Sequence, residues 1–196
     1  MLAYHWLTES MTAGHGDEPA WTEGEERTIK GRKKIVICQH GYHSSPTPFD
    51  GLEYAPGPIL CLVEIGEPVE SQPDKHVSKT RKLIKAIDVS QQLREFACDV
   101  AEEALNREVQ AGRTVDERSR AAIEVARRYA RKQATPEELA AAWDAARDAA
   151  YAAYAARAAA WAAARAAARD AARAAAWAAW DAQKVKFNAT MEAILG

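Results

Sequence analysis

A loop rich in glycine, proline and serine carries the side chains best suited to binding chemistry. It spans residues 40–58 between two apolar segments and reads HGYHSSPTPFDGLEYAPGP. A connection of this length is unusual in a compact domain unless it has a function. Its imidazole, hydroxyl and phenol groups, together with nearby cationic residues, suit a nucleotide-like anion better than a metal or a peptide. We therefore predict a ligand-binding site made of His5, Tyr42, His43, Ser44, Tyr54, Lys75 and Arg81.

Within this predicted site, three residues receive specific roles. His43 is expected to hydrogen-bond the ligand, Tyr54 to stack on it and Lys75 to supply the counter-charge. The sequence offers no poised acid–base pair, which general acid–base catalysis requires. We therefore predict binding without catalysis, and we predict no catalytic residue and no cofactor.

The same region contains residues suited to two other kinds of chemistry. Cys38, His40, His43 and Cys61 are four residues of metal-ligating type, but zinc ligands normally come in closely spaced pairs, and Cys61 stands alone in an apolar run. A thiol packed in the core is the better interpretation, so no metal site is predicted. The second alternative, which stays open, is a nucleotide-modifying enzyme similar to ADP-ribosyltransferases, an analogy at the level of the fold. Its cleft would be formed by His5, Tyr42, His43, Tyr54 and Glu64.

The elements that must position these residues are strands followed by helices. Alternating or continuous apolar runs predict strands at Leu2–Leu7, at residues 32–38 and at Ile59–Ile65, with a short helix over residues 48–54. After Pro73 the pattern predicts helices: a basic one over residues 74–87, then two that start near Ser90 and at a Thr114–Glu117 capping box. The predicted class is α+β, with a β-rich segment (residues 1–73), a helical bundle (74–134) and a long alanine-rich helix or helical hairpin (135–196).

The alanine-rich tract of residues 140–182 dominates the second half of the chain, since 28 of its 43 residues are alanine. Alanine is the strongest helix former, and a Thr135-Pro136-Glu137-Glu138 start signal precedes the tract, which reads as one very long helix. Its alanine face favours close helix contact, so we predict a homo-oligomer, most simply a dimer. The large apolar side chains for that contact are Trp143, Tyr154, Trp161 and Trp177.

The tract is expected to be an appendage. Residues 1–133 hold nearly all the large aliphatic side chains and are expected to fold without it. An Arg165–Arg169–Arg173 ladder flanked by tryptophans is a possible phosphate contact, but nearby aspartates offset its charge. A solvated rod is therefore the preferred interpretation, and nucleic acid is not predicted as a partner.

Composition points to a soluble protein of the cytoplasm. The formal net charge of −2 gives no bias toward nucleic acid or anionic membranes. The three cysteines are an odd number without a CxxC pair, which suits a reducing compartment. The amino terminus lacks the pattern of a signal peptide, and charges interrupt the alanine-rich tract too often for a membrane span.

Several short motifs resemble a family of uncharacterised phage and prophage proteins. These are Tyr4-His5-Trp6, Cys38, the run from Gly41 to Ser45, Pro48, Asp50, Leu52, Tyr54-Ala55-Pro56-Gly57, Leu60-Cys61, Val63, Asp74-Lys75, the stretch near Arg81, and the AAW, AAR and DAAR units of the tract. The family's loop reads Gly-Leu-His-Ala-Ser or Gly-Phe-His-Ala-Ser, and here Tyr42 and Ser44 replace two positions. The resemblance implies a viral origin and a host bacterial cell as the setting, and it implies no activity.

Together, the residues and the resemblance predict a non-enzymatic phage accessory protein. Its expected role is to bind and neutralise a host anti-phage defence component or that component's nucleotide signal. The alternatives that stay open are the nucleotide-modifying enzyme and an oligomeric interaction protein that uses the alanine-rich tract.

Overall fold

The computed structural model describes residues 1–14, 18–164 and 169–196. It describes their side chains as well, except those of residues 152–172 and 174. The chain forms two compact units. Residues 1–89 and 184–196 make up the first, here called the β-unit, and residues 90–183 make up the second, the helical unit. Helices and antiparallel sheets are both present, so the predicted α+β class is confirmed.

A four-stranded antiparallel sheet forms the centre of the β-unit. Its strands are β1 (Leu2–Leu7), β2 (Glu26–Thr28), β4 (Ile59–Ile65) and β7 (Thr80–Asp88), in the order β1-β4-β7-β2. The apolar run of β4 lies between β1 and β7, as expected for a strand that is covered on both faces. On one face, Ala3, Leu7, Ile59, Cys61, Val63, Ile65 and Leu83 pack with Trp21 into a buried core.

The carboxyl-terminal segment covers the other face of the sheet. The Trp6 ring stacks on that of Phe187 at 6.4 Å between centroids, and Phe49 meets Phe187 edge-on at 5.7 Å. Phe187, Met191 and Leu195 are all buried and recur every four residues, so they form one helical stripe. Residues 184–196, which follow the alanine-rich tract, therefore supply part of the core of the β-unit. Whether residues 1–133 fold without the tract stays a prediction.

A small second sheet contains the first part of the loop over residues 40–58. It pairs β3 (Tyr42–Ser44), β6 (His76–Ser78) and β5 (Glu70–Ser71) in the order β3-β6-β5. Helix α1 (Pro48–Leu52) follows β3, and the Thr47 hydroxyl at its amino end accepts a hydrogen bond from the Asp50 amide. The loop over residues 40–58 is thus ordered, and the predicted short helix is present.

Two predicted elements of the β-unit are wrong. Residues 74–87 hold strands β6 and β7 rather than a basic helix. Strand β6 pairs with β3 and strand β7 pairs with β4, and this pairing overrides local helix propensity. Residues 32–38 form no strand. Val36 pairs only with His40 in an isolated bridge, and Ile35 and Ile37 pack against Val77 from a turn. The β-structure therefore extends past residue 73, where the predicted β-rich segment ended.

Helices α2 (Ser90–Gln110), α3 (Glu117–Ala130) and α4 (Pro136–Ala164) belong to the helical unit. Helix α2 ends before Gly112, whose φ of 73° is typical of a helix stop. The amino-terminal cap of α3 is Asp116 and not Thr114, because the Asp116 carboxylate accepts from the Arg118 amide. At α4 the predicted capping box is confirmed: the Thr135 amide donates to Glu138 Oε2 at 2.7 Å, and the Glu138 amide donates to Thr135 Oγ1 at 3.2 Å.

The alanine-rich tract is not a straight rod. Helix α5 (Arg169–Leu195) follows α4, and residues 165–168 lie outside the described part. Trp143 of α4 lines a groove beside Ala97 of α2, while Trp180 of α5 lies 6.4 Å from the Phe96 ring of the same helix. A straight helix would place Trp143 and Trp180 about 55 Å apart at a rise of 1.5 Å per residue. The tract therefore doubles back, which matches the helical hairpin among the two expected forms.

None of the helices in the described part of the chain is long and apolar enough to cross a membrane.

Candidate functional site

Tyr54 and Lys75, two residues of the predicted site, meet at the surface of the β-unit. Tyr54 lies just after α1, and Lys75 lies just before β6. The Lys75 Nζ donates to the Tyr54 hydroxyl at 2.8 Å and lies 4.2 Å from the centroid of its ring. The Tyr54 hydroxyl in turn donates to Asp74 Oδ2 at 2.6 Å. Two hydrogen bonds and a cation–π contact therefore hold the half-exposed Tyr54 ring in one orientation.

These contacts set the charge states of the cluster. The hydrogen bond from Tyr54 is the main cause that lowers the pKa of Asp74, and the hydrogen bond to Asp74 is the main cause that raises the pKa of Tyr54. The hydrogen bond to Tyr54, with smaller contributions from Asp74 and Cys38, raises the pKa of Lys75. At neutral pH the cluster therefore presents a neutral phenol, a carboxylate and an ammonium group.

The His43 side chain forms a hydrogen bond with the backbone of the neighbouring turn. Its Nε2 accepts a hydrogen bond from the Cys38 amide at 2.8 Å. Cys38 has a positive φ of 61°, a conformation that non-glycine residues rarely adopt, so the imidazole stabilises a strained turn. His43 thus contributes to the local structure of this turn, and its Nε2 is already occupied.

Tyr42 and Arg81 belong to a second, internal cluster. Arg81 is 2% exposed, and its Nη1 donates to the His43 carbonyl at 3.0 Å. Its guanidinium lies over the rings of Trp21 and Tyr42, at 4.5 and 5.0 Å from their centroids. Burial lowers the pKa of Arg81 to about 10, although Glu18, 3.7 Å away, acts in the opposite direction. Because Arg81 is enclosed, its position does not fit the predicted contact with a ligand at the surface.

This internal cluster links the segment before β2 to the sheet. Arg27 lies 4.0 Å from the centroid of the Trp21 ring, and its guanidinium donates to the carbonyls of Pro19 and Ala20 at 2.8 and 2.6 Å. Burial also raises the pKa of Tyr42, whose ring meets Trp21 edge-on. Sequence reasoning missed Trp21 and Arg27 because no periodic pattern surrounds them. The one available signal was a tryptophan in an otherwise polar segment.

The remaining predicted residues do not join Tyr54 and Lys75. His5 is paired with Cys61 across β1 and β4, on the same sheet face as Ala3 and Leu7. Ser44 is buried, and no hydrogen-bond partner of its hydroxyl lies within the described residues. Glu64 alternates with Val63 along β4 and therefore points to the opposite face from His5. The proposed cleft containing both His5 and Glu64 is wrong for that reason.

The cysteines and the tryptophans were also assigned roles from the sequence. Cys61 is a fully buried thiol, and burial raises its pKa to about 12, as expected for a thiol packed in the core. Within residues 1–14, 18–164 and 169–196, no group of three or more His, Cys, Asp or Glu side chains could hold a metal ion. Trp143 and Trp177 are 61% and 68% exposed, whereas the side chains of Tyr154 and Trp161 lie outside the described set.

Comparison with known proteins gives one match. Residues 1–95 match the model of a family described as a domain of unknown function, DUF7666. Neither the curated proteins nor the solved structures contain a significant match to the chain. The matched residues include strands β1 to β7, α1 and the first residues of α2, and thus both clusters of the β-unit. The similarity therefore supports an uncharacterised family, and it does not extend to the alanine-rich tract.

Proposed function

We propose that this protein is a non-enzymatic accessory protein of phage origin that captures a nucleotide-like anion through its β-unit. In this role it neutralises a host anti-phage defence component or that component's nucleotide signal. The observation that carries the proposal is the Tyr54–Lys75 pair, in which an ammonium group lies 4.2 Å from the centroid of a half-exposed aromatic ring. A nucleotide needs a stacking surface for its base and a cation for its phosphate, and this pair supplies both.

The cluster is prepared for such a ligand. Tyr54 is fixed by Asp74 and Lys75, so little conformational entropy is lost when a base stacks on it. Asp74 lies 3.6 Å from Lys75 and balances its charge in the free protein. A phosphate of the ligand takes the place of this carboxylate as the partner of Lys75. The family match covers residues 1–95, which include this cluster.

Calorimetric titration of the full chain tests the proposal. We expect a phosphate-bearing nucleotide, from a panel of nucleoside monophosphates and cyclic dinucleotides, to bind with a 1:1 ratio, while the matching nucleosides bind at least tenfold more weakly. The Lys75→Met variant should lose this preference for phosphate. Lys79→Met is the matched control, because Lys79 is an exposed lysine four residues further on and should leave binding unchanged.

The opposite results would count against nucleotide capture. If no member of the panel binds, or if the Lys75 and Lys79 variants behave alike, Lys75 is not the counter-charge of a ligand. Tyr54→Leu separates the two contributions, because it removes the ring and should weaken binding of nucleotide and nucleoside by the same factor.

A second candidate function is an oligomeric interaction protein. The exposed Trp143, Tyr151 and Trp177 of the helical unit support it, since tryptophan and tyrosine are enriched at protein interfaces. Light scattering of the full chain should then give at least twice the monomer mass of 21.5 kDa. A monomer at all concentrations would refute this candidate and would leave nucleotide capture untouched. The enzyme alternative has no comparable support, because His5 and Glu64 lie on opposite faces of the sheet.

A further inference from the structure

An apolar groove crosses the helical unit, separate from the cluster in the β-unit. It has a volume of about 640 Å³ and lies between α2, α3 and α4. Leu105, Ile123, Leu139 and Trp143 are among the side chains that line it. This volume and this apolar lining are typical of sites that bury small organic ligands.

The groove is lined by one cationic side chain, Arg94, which has no carboxylate partner among the described side chains. Arg94 lines the groove, and its guanidinium carbon lies 5.4 Å from the centroid of the Tyr129 ring. Among the side chains that the structure describes, no carboxylate forms an ion pair with Arg94. The other arginines of residues 90–131, apart from Arg120, each contact a carboxylate: Arg107, Arg113, Arg118, Arg127, Arg128 and Arg131.

The nearby arginines have polar partners, whereas Arg94 has no ion-pair partner among the described side chains. Arg120 donates to Asn106 Oδ1 at 3.4 Å. Arg131 forms an ion pair with Glu95, the acidic residue next to Arg94 in the chain. Arg94 keeps its planar array of donors available at the edge of an apolar surface. Such an array matches the two oxygens of a carboxylate.

We propose that this groove binds an amphiphilic carboxylate, with the acid group on Arg94 and an aliphatic chain along the groove. A chain of twelve carbons fills roughly 300–360 Å³ at about 25–30 Å³ per methylene-sized group, so it fits within the groove with room to spare. Tyr129 also lines the groove, and its contact with the Arg94 guanidinium holds that group beside the apolar surface. The site is independent of the Tyr54–Lys75 cluster and requires no nucleotide.

Titration of the full chain with dodecanoate and with dodecanol, both below the concentration at which they aggregate, tests this proposal. The two probes share one chain and differ in the charge of the head group. We expect saturable 1:1 binding of dodecanoate and about tenfold weaker binding of dodecanol, a typical contribution of a charge-assisted hydrogen bond. Arg94→Gln should weaken dodecanoate about tenfold and leave dodecanol unchanged, while the matched Arg120→Gln should change neither.

A second variant tests the location of the chain. Ala101 lines the groove and is exposed, so Ala101→Trp fills the groove without disturbing a buried position and should abolish binding of both probes. The proposal is overturned if dodecanoate does not saturate, if it binds Ala101→Trp as well as the wild type, or if the variants at Arg94 and Arg120 behave alike. An absence of binding would leave the groove as a surface for another protein.

Discussion

Replacement of Phe187 by alanine tests whether the end of the chain is part of the core of the β-unit. Phe187 is 2% exposed and contacts the rings of Trp6 and Phe49, both of which lie more than a hundred residues earlier in the chain. A buried Phe→Ala change costs about 3–5 kcal/mol, because the transfer free energy of the ring is lost and a cavity remains. We expect a loss of about 4 kcal/mol, a large part of the stability of a typical domain.

In a unit of about 100 residues, a loss of this size lowers the melting temperature by roughly 15–30 °C. Scanning calorimetry of the full chain measures it directly. Val185→Ala is the matched control: Val185 lies two residues away on the same helix but is 70% exposed, so its replacement should change stability by less than about 0.5 kcal/mol. If Phe187→Ala and Val185→Ala melt within a few degrees of each other, the carboxyl-terminal segment is an appendage, and the fold described above is wrong on this point.

Three further predictions follow from local contacts. The pKa of the buried Cys61 thiol rises from 9.0 to about 12 on folding, so the unfolded chain releases this proton first above pH 9 and stability falls as the pH rises. Between about pH 8 and about pH 10, urea denaturation should show the wild type losing about 1.4 kcal/mol more than Cys61→Ala, and parallel losses would contradict this. Thr135→Ala removes the capping hydroxyl of α4 and should destabilise the helical unit by about 1 kcal/mol in calorimetry, whereas no change would mean that the cap is not formed in solution. His43→Ala removes the acceptor of the Cys38 amide, so hydrogen exchange at that amide should accelerate with little global destabilisation, and unchanged protection would contradict the bond.

The sequence correctly predicted those elements whose pattern and ends depend on residues close together in the chain. Strands β1 and β4 were predicted because their apolar patterns are continuous and their ends are marked by turn residues. The start of α4 was predicted because the capping box lies within four residues. Strand β7 was missed because its identity depends on pairing with β4, a contact that no local propensity encodes.

The same distinction applies to the candidate site. Tyr54 and Lys75 were assigned to one site, and the structure brings them into contact. Arg81 was assigned to it by charge alone, yet alternation along β7 turns its side chain into the core beside Trp21. The stripe of Phe187, Met191 and Leu195 is visible in the sequence, but the sheet face that it covers is set by tertiary packing.

Mass spectrometry of the small molecules that co-purify with the protein from phage-infected cells tests the central proposal most directly. The wild-type protein is expected to release a phosphate-bearing, nucleotide-like species in an amount close to one per chain. Lys75→Met should release little or none, and Lys79→Met should release as much as the wild type. If the wild type and Lys75→Met release the same molecules in the same amounts, or if neither releases a nucleotide-like anion, capture at the Tyr54–Lys75 pair is contradicted.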